Sequence, residues 1–155
     1  MILNIKIEKT EDRESLPWKL LLSADPSKKM IDKYINSSDI YIALMEEEVV
    51  GEYVLTKIDN ATVELISVAV DEKFQGRGIG KILVLDAIKK SKEKGFKTIE
   101  IGTGNSSFSQ LALYQKCGFR VVGVKKDFFT ENYDKEIIEN GIRCTDMIRL
   151  SQILI

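Results

Sequence analysis

The residues best placed to do chemistry form one run, Gln75-Gly76-Arg77-Gly78-Ile79-Gly80-Lys81, just beyond the apolar segment Val68-Ala69-Val70. Three glycines in a turn between a strand and an amphipathic helix let the backbone aim several N–H groups at one point. The positive end of the helix dipole adds to them there. A phosphate or pyrophosphate is the natural occupant of such a point. Arg77 and Lys81 supply charge for further contacts. Two familiar phosphate motifs fail on spacing. A Walker A loop needs glycine where Gln75 stands and Ser or Thr where Ile82 stands. A dinucleotide fingerprint needs glycine where Lys81 stands, after the first strand of a βαβ unit.

Composition removes other chemistries. The chain has no histidine, which excludes a His general base, Ser/His and Cys/His nucleophile pairs and His-containing metal sites. Cys117 and Cys144 are far apart and lack metal-ligand spacing, so no metal is expected and both read as free thiols of a reducing, cytoplasmic compartment. A net charge of −1 gives no basis for broad binding to nucleic acid, and the lysines around Lys89, Lys90 and Lys92 read as a solvated helix face. The first seven residues are too short and too interrupted for a signal peptide, and no apolar run is long enough to span a membrane. At 155 residues, 44% hydrophobic and 30% charged, the chain suits a single domain, 1–155, with its own core.

The elements that must hold the glycine turn follow from periodicity. Leu3, Ile5 and Ile7 alternate with polar residues and predict a strand. Helical material is expected from about Glu11 to Leu22, and Asp25-Pro26 reads as an N-cap opening a second helix to about Ile35. Strands at 40–45, 49–57 and 62–70, joined by short turns at Glu46-Glu47-Glu48 and Asp59-Asn60, predict an antiparallel meander. A helix with Ile79, Ile82, Leu83, Ala87 and Ile88 on one face stops at Gly95. A strand at 98–101, a helix at 108–116, a strand at 121–124, a polar and aromatic stretch ending in the Asn140-Gly141 turn signal, and a strand at 142–150 complete the order βααβββαβαββ. That order predicts an α/β chain with a mixed sheet and helices on both faces.

Gln75 to Gly80 fits Q/R-x-x-G-x-G/A directly after a Val-x-Val strand end, and Leu113-Tyr114-Gln115-Lys116-Cys117-Gly118-Phe119 fits L-Y-x-K-x-G-F. Both segments, in this order and with this topology, resemble the GNAT superfamily of acyl-CoA-dependent N-acyltransferases over nearly the whole chain. The resemblance implies a largely antiparallel sheet that splays centrally to admit the thioester of acetyl-CoA. It implies that the backbone of Val68, Ala69 and Val70 pairs with the pantetheine arm, and that residues 75 to 81 hold the pyrophosphate. It gives Tyr114 the role of general acid toward the departing thiolate, and makes Cys117 a helix-packing residue rather than a nucleophile.

The same resemblance makes Glu64, four residues before Val68, the side-chain candidate for the base, on the strand face shared with Ile66, Val68 and Val70. A water chain is the alternative, and Glu52 on the preceding strand a weaker one. The family often has Asn seven residues before the Tyr; here Ser107 holds that place, with Asn105 two residues earlier. Either side chain can hydrogen-bond the pantetheine amides, and Ser106 or Ser107 can equally cap the helix. The acceptor side falls on 17–35 and 126–140, whose aromatics and carboxylates suit a cationic primary amine of a small molecule or peptide. Relatives that pair through late strands make a homodimer an expectation. The competing readings are a non-catalytic module that senses acyl-CoA and a domain that binds another nucleotide.

Overall fold

The computed structural model describes residues 4–155. A seven-stranded sheet runs β1 (Lys6–Thr10), β2 (Asp39–Met45), β3 (Glu48–Lys57), β4 (Thr62–Val70), β5 (Thr98–Gly104), β9 (Met147–Ile153) and β6 (Arg120–Lys125) in spatial order. All pairings are antiparallel except β4 with β5. Helices α1 (Trp18–Ala24) and α2 (Lys28–Asp32) cover one face, where Leu21, Ile31, Tyr34, Ile35, Ile40 and Val54 form a core. Helices α3 (Ile79–Glu93) and α4 (Phe108–Lys116) cover the other, on a larger core that includes Tyr53, Leu65, Leu83, Val84, Ile99 and Leu150. The mixed sheet with helices on both faces stands as the periodicity predicts.

Two features of β4 matter most for function. Its parallel pairing with β5 covers only Thr62, Val63 and Glu64. Beyond Glu64 the strands part, leaving the β5-side edge of residues 65–70 open. That is the expected splay, and its open backbone groups are a template for an added strand. The register of β4 against β3 also slips: Leu55 faces Leu65, while Val54 faces Ser67, so Ile66 is an extra residue. Such a bulge turns the strand by one side-chain position. Ile66 therefore packs in the α1–α2 core, whereas Val68 and Val70 pack in the α3–α4 core. The expectation that Glu64 shares a face with Val68 and Val70 is corrected by this bulge.

Several element ends differ from the sequence reading. Leu3 lies outside the described residues, and β1 begins at Lys6. The first helix starts at Trp18, not Glu11. Arg13 instead reaches across to the carbonyls of Ile35 and Ser38, at 3.0 and 2.9 Å. Ser27, not Asp25, caps α2 by accepting from Met30 N–H; Asp25 forms an Asx turn by accepting from Ser27 N–H. The stretch before the last strand folds into α5 (Phe128–Asn132) and a hairpin of β7 (Ile138–Glu139) and β8 (Ile142–Arg143) about the expected Asn140-Gly141 turn, both at positive φ. The last strand consequently begins at Met147. Among the described residues no helix is long and apolar enough to cross a membrane.

Candidate active site

The glycine turn lies at the open end of the gap between β4 and β5. A short 3₁₀ turn, 72–74, leads into it, and Gln75 Nε2 donates back to Val70 O at 3.1 Å, tying the loop to the end of β4. Gly76 and Gly78 have φ of +79° and +81°, values that L side chains rarely adopt. Gly78 is the N-cap of α3, and the first bond back to it comes from Ile82 N–H at 3.2 Å. The N–H groups of the turn before Ile82 have no intrahelical carbonyl to reach. Ile79 is buried and anchors the helix, while Arg77 and Lys81 are exposed, with the Arg77 guanidinium over the Phe74 ring at 5.2 Å.

Tyr114 lies on α4, 5% exposed, edge-on to Phe119 at 6.3 Å. The L-Y-x-K-x-G-F run has a local physical reason. Gly118, at φ +101°, ends α4 in a Schellman motif: Phe119 N–H donates to Tyr114 O and Gly118 N–H to Gln115 O, both at 3.0 Å. Gln152 of β9 donates to Cys117 O at 2.9 Å, and a Cβ on Gly118 would run into that side chain. The Tyr114 phenol is held neutral well above the usual phenol range, by burial first and then by the negative charge of Glu52. A neutral phenol is the form that can donate a proton.

The two carboxylates sit in different company. Glu64 Oε2 accepts from Arg149 Nη1 at 3.1 Å, and Arg149 Nη2 donates to Glu100 Oε1 at 3.2 Å. Since Glu64 and Glu100 face each other in the last paired rung of β4 and β5, Arg149 bridges three strands where the gap begins. Glu52 is fully buried on the α1–α2 side of β3. Ser67 Oγ donates to its Oε1 at 2.8 Å, and its Oε2 has no hydrogen-bond partner. Burial raises its carboxyl to about 8. Tyr34 lies in the same cluster; its buried hydroxyl also lacks a partner, and burial, then Asp25, then Glu52 push its phenol up. Tyr133 of the late loop donates to Asp25 Oδ1 at 2.9 Å, joining α5 to the α1–α2 connection. Burial raises the Asp25 carboxyl against the lowering effect of its hydrogen bonds.

Asn105 and Ser107 are both engaged within the chain. Asn105 Oδ1 accepts from Thr145 N–H and Asp146 N–H at 2.8 and 3.0 Å, and its Nδ2 donates to Arg143 O. Ser107 stands at the N-cap of α4 without a capping bond and donates to Glu139 Oε1 at 3.0 Å. Of the alternatives the sequence left open, side-chain capping by Ser107 is not the one taken up. The structure thus packs Val68, Val70, Ile79 and Tyr114 in one core next to the end of β4 that leads into the glycine turn, with Glu52, Ser67 and Tyr34 clustered on the α1–α2 side of the sheet. Sequence reasoning missed Ser67 and Tyr34, because only the bulge at Ile66 sets Ser67 against Glu52. A hollow of about 360 Å³ lined by Asp39, Leu55, Lys57, Val63, Lys94 and Phe96 lies at the opposite end of β3 and β4, away from this chemistry.

Comparison with known proteins agrees with this fold. The model of the acetyltransferase (GNAT) family matches residues 7–119. The chain is 51% identical over 146 residues to the uncharacterized N-acetyltransferase YvbK of Bacillus subtilis, covering 94% of each. A GNAT family acetyltransferase from Elizabethkingia anophelis with acetyl-CoA bound superposes with a TM-score of 0.95 at 50% identity, over 97% of this chain and 99% of that one. A Bacillus subtilis acetyltransferase in complex with CoA gives 0.93 at 50% identity, over 98% and 100%. With the fold, the glycine loop and these likenesses in agreement, the chain belongs to the GNAT family of acetyltransferases.

Proposed function

We propose that this protein transfers an acetyl group from acetyl-CoA directly to a primary amine of a small molecule or peptide, within a ternary complex. The observation that carries the reading is the gap between β4 and β5, which opens beyond Glu64 and runs to the end of β4, where the glycine loop begins. The loop N–H groups, Arg77 and Lys81 hold the pyrophosphate, and the open edge at Val68 to Val70 pairs with the pantetheine. Asn105 and Ser107 both spend their side-chain hydrogen bonds on the chain, so a pantetheine amide is held by the β4 backbone rather than by either side chain.

In the transfer, the amine nitrogen forms a bond to the acetyl carbon and the carbon–sulfur bond breaks. A backbone N–H near Val70 stabilises the carbonyl oxygen as it becomes tetrahedral. Tyr114 gives its proton to the departing thiolate. The amine must lose a proton as well, and Glu64 and Glu52 are the carboxylates within the cluster for that step. Asp25, Tyr34 and Tyr133 supply the polar, electron-rich surroundings that suit a cationic acceptor. The test is an acceptor screen read by mass spectrometry with acetyl-CoA present. Acetylated primary amines are expected; transfer confined to hydroxyl or thiol acceptors would reject the reading, as would calorimetry showing no saturable binding of acetyl-CoA.

A further inference from the structure

Resting on that reading, we infer that Glu52, acting through the hydroxyl of Ser67, is the proton acceptor for the incoming amine, and that Glu64 is a structural ion-pair partner. The assignment begins with an anomaly. A carboxylate with no exposed surface, one hydrogen bond and one unpartnered oxygen is costly to keep in a fold unless something repays it. The neighbouring Tyr34 hydroxyl is unpartnered too, so two orphaned polar atoms share one cluster. Ser67, 4% exposed, belongs to the stretch of β4 whose edge is open and donates from there to Glu52.

The proton path balances. An ammonium at Ser67 gives one proton to Ser67 Oγ as Ser67 passes its own to Glu52 Oε1. This step yields a neutral amine and a neutral carboxylic acid; after attack the nitrogen loses one more proton, which replaces the one that Tyr114 gives to the thiolate. Burial favours that direction, because it disfavours the charged form of both partners. The ammonium and the carboxylate meet as a pair and leave as two uncharged groups, so no isolated charge is stranded when the thioester is attacked. Burial has already brought the carboxyl to about 8, between an ordinary carboxylate and an ordinary amine.

Glu64 lacks these properties. Its carboxylate is held by Arg149, which also holds Glu100, and the three side chains together close the paired end of β4 and β5. The titratable and charged groups around Glu52 are Asp25 and Tyr34 from the α1–α2 side, Tyr133 from the late loop, Tyr114 from α4, and Glu64 from β4 with its Arg149 and Glu100 partners. Of the phenols, Tyr34, Tyr114 and Tyr133 are all pushed above their ordinary range, chiefly by burial, and burial pushes the Glu52 carboxyl up to about 8.

The experiment compares wild type, E52Q, S67A and E64Q with acetyl-CoA and two probe amines: benzylamine, which is mostly protonated at neutral pH, and trifluoroethylamine, which is mostly neutral. For benzylamine, E52Q should lower kcat/KM by about a hundredfold or more and abolish the rise with pH centred near 8, with acetyl-CoA binding unchanged. With trifluoroethylamine, which arrives already neutral and needs no deprotonation before attack, the loss should stay within about fivefold. S67A should fall about tenfold with benzylamine, and E64Q should keep the rise near 8. Equal losses of E52Q on both amines, or disappearance of the rise in E64Q and not in E52Q, would overturn the assignment. Absence of transfer by wild type to either probe or to any amine of the screen would overturn the acetyltransferase reading itself, and the assignment with it. Should E52Q not fold, difference infrared titration of wild type decides: a buried carboxylic acid band that vanishes near pH 8 and weakens in frequency shift with S67A supports it, and no such band overturns it.

Discussion

The proposed donor side and the proposed acceptor side of the gap are built in opposite ways. Residues 75 to 81 offer backbone groups, and they are contiguous; their geometry comes from two positive-φ glycines and a helix start. The cluster on the other side works through side chains from distant places: Tyr34 after α2, Glu52 on β3, Ser67 on β4, and the Asp25–Tyr133 bond between residues 108 apart in sequence. A backbone cradle tolerates change in side chains but not in φ. A side-chain cluster tolerates change in loops but not in register. The same fold can therefore keep one donor while its acceptor pocket is rebuilt.

Variants on each side should separate cleanly. The largest effect is expected for Tyr114→Phe, about a hundredfold or more in kcat at unchanged acetyl-CoA affinity, since only the thiolate's proton is lost. Steady-state kinetics beside calorimetry checks both halves. Gly78→Val comes next. A β-branched residue at φ +81° is strained by roughly 1–2 kcal/mol, so acetyl-CoA should bind about tenfold more weakly while the pH dependence of turnover keeps its shape.

Glu52→Gln bears on stability with a definite sign. The Glu52 carboxyl rises from 4.5 to about 8 on folding, so between those values the folded protein holds a proton that the unfolded chain has released. Stability from this group is present below 4.5 and is lost as pH rises through about 8. The variant does not suffer that loss. Its Tm should match wild type near pH 4.5 and exceed it by several degrees above pH 8, by scanning calorimetry. A Gly78 variant should show no such pH-dependent difference. The smallest effect lies outside both sides. Glu46 and Glu47 form a hairpin turn at φ +50° and +70°, where Asn-Gly fits better. The double change E46N/E47G should add about 1 kcal/mol in urea unfolding and leave kinetics alone.

The same division explains what the sequence made legible. The glycine loop and the end of α4 were readable because each is a contiguous run whose residue types state their own geometry. The meander was readable from alternation and short turns. The acceptor cluster was not, because no residue near Ile66 announces that β4 carries one extra position there. Without that slip, Ser67 would face the α3–α4 core and Glu52 would have no partner. The start of α1 was misplaced because the run from Glu11 has helical composition, yet Arg13 is spent on carbonyls 22 and 25 residues away. Asn105 looked free to meet a ligand for a related reason: its partners at 143, 145 and 146 exist only once the β7–β8 hairpin has folded.

Arg149 sits at the vertex of a lever. From Glu64 outward β4 runs unsupported by β5 for about 20 Å, the length of six extended residues, before it delivers the chain to the glycine loop. A tilt of about 3° at the vertex therefore displaces the far end by about 1 Å, comparable to the tolerance of a well-aimed N–H group. Two opposed carboxylates riveted by one guanidinium thus set where the two strands part, while β3, paired with β4 as far as Val70, carries the far end.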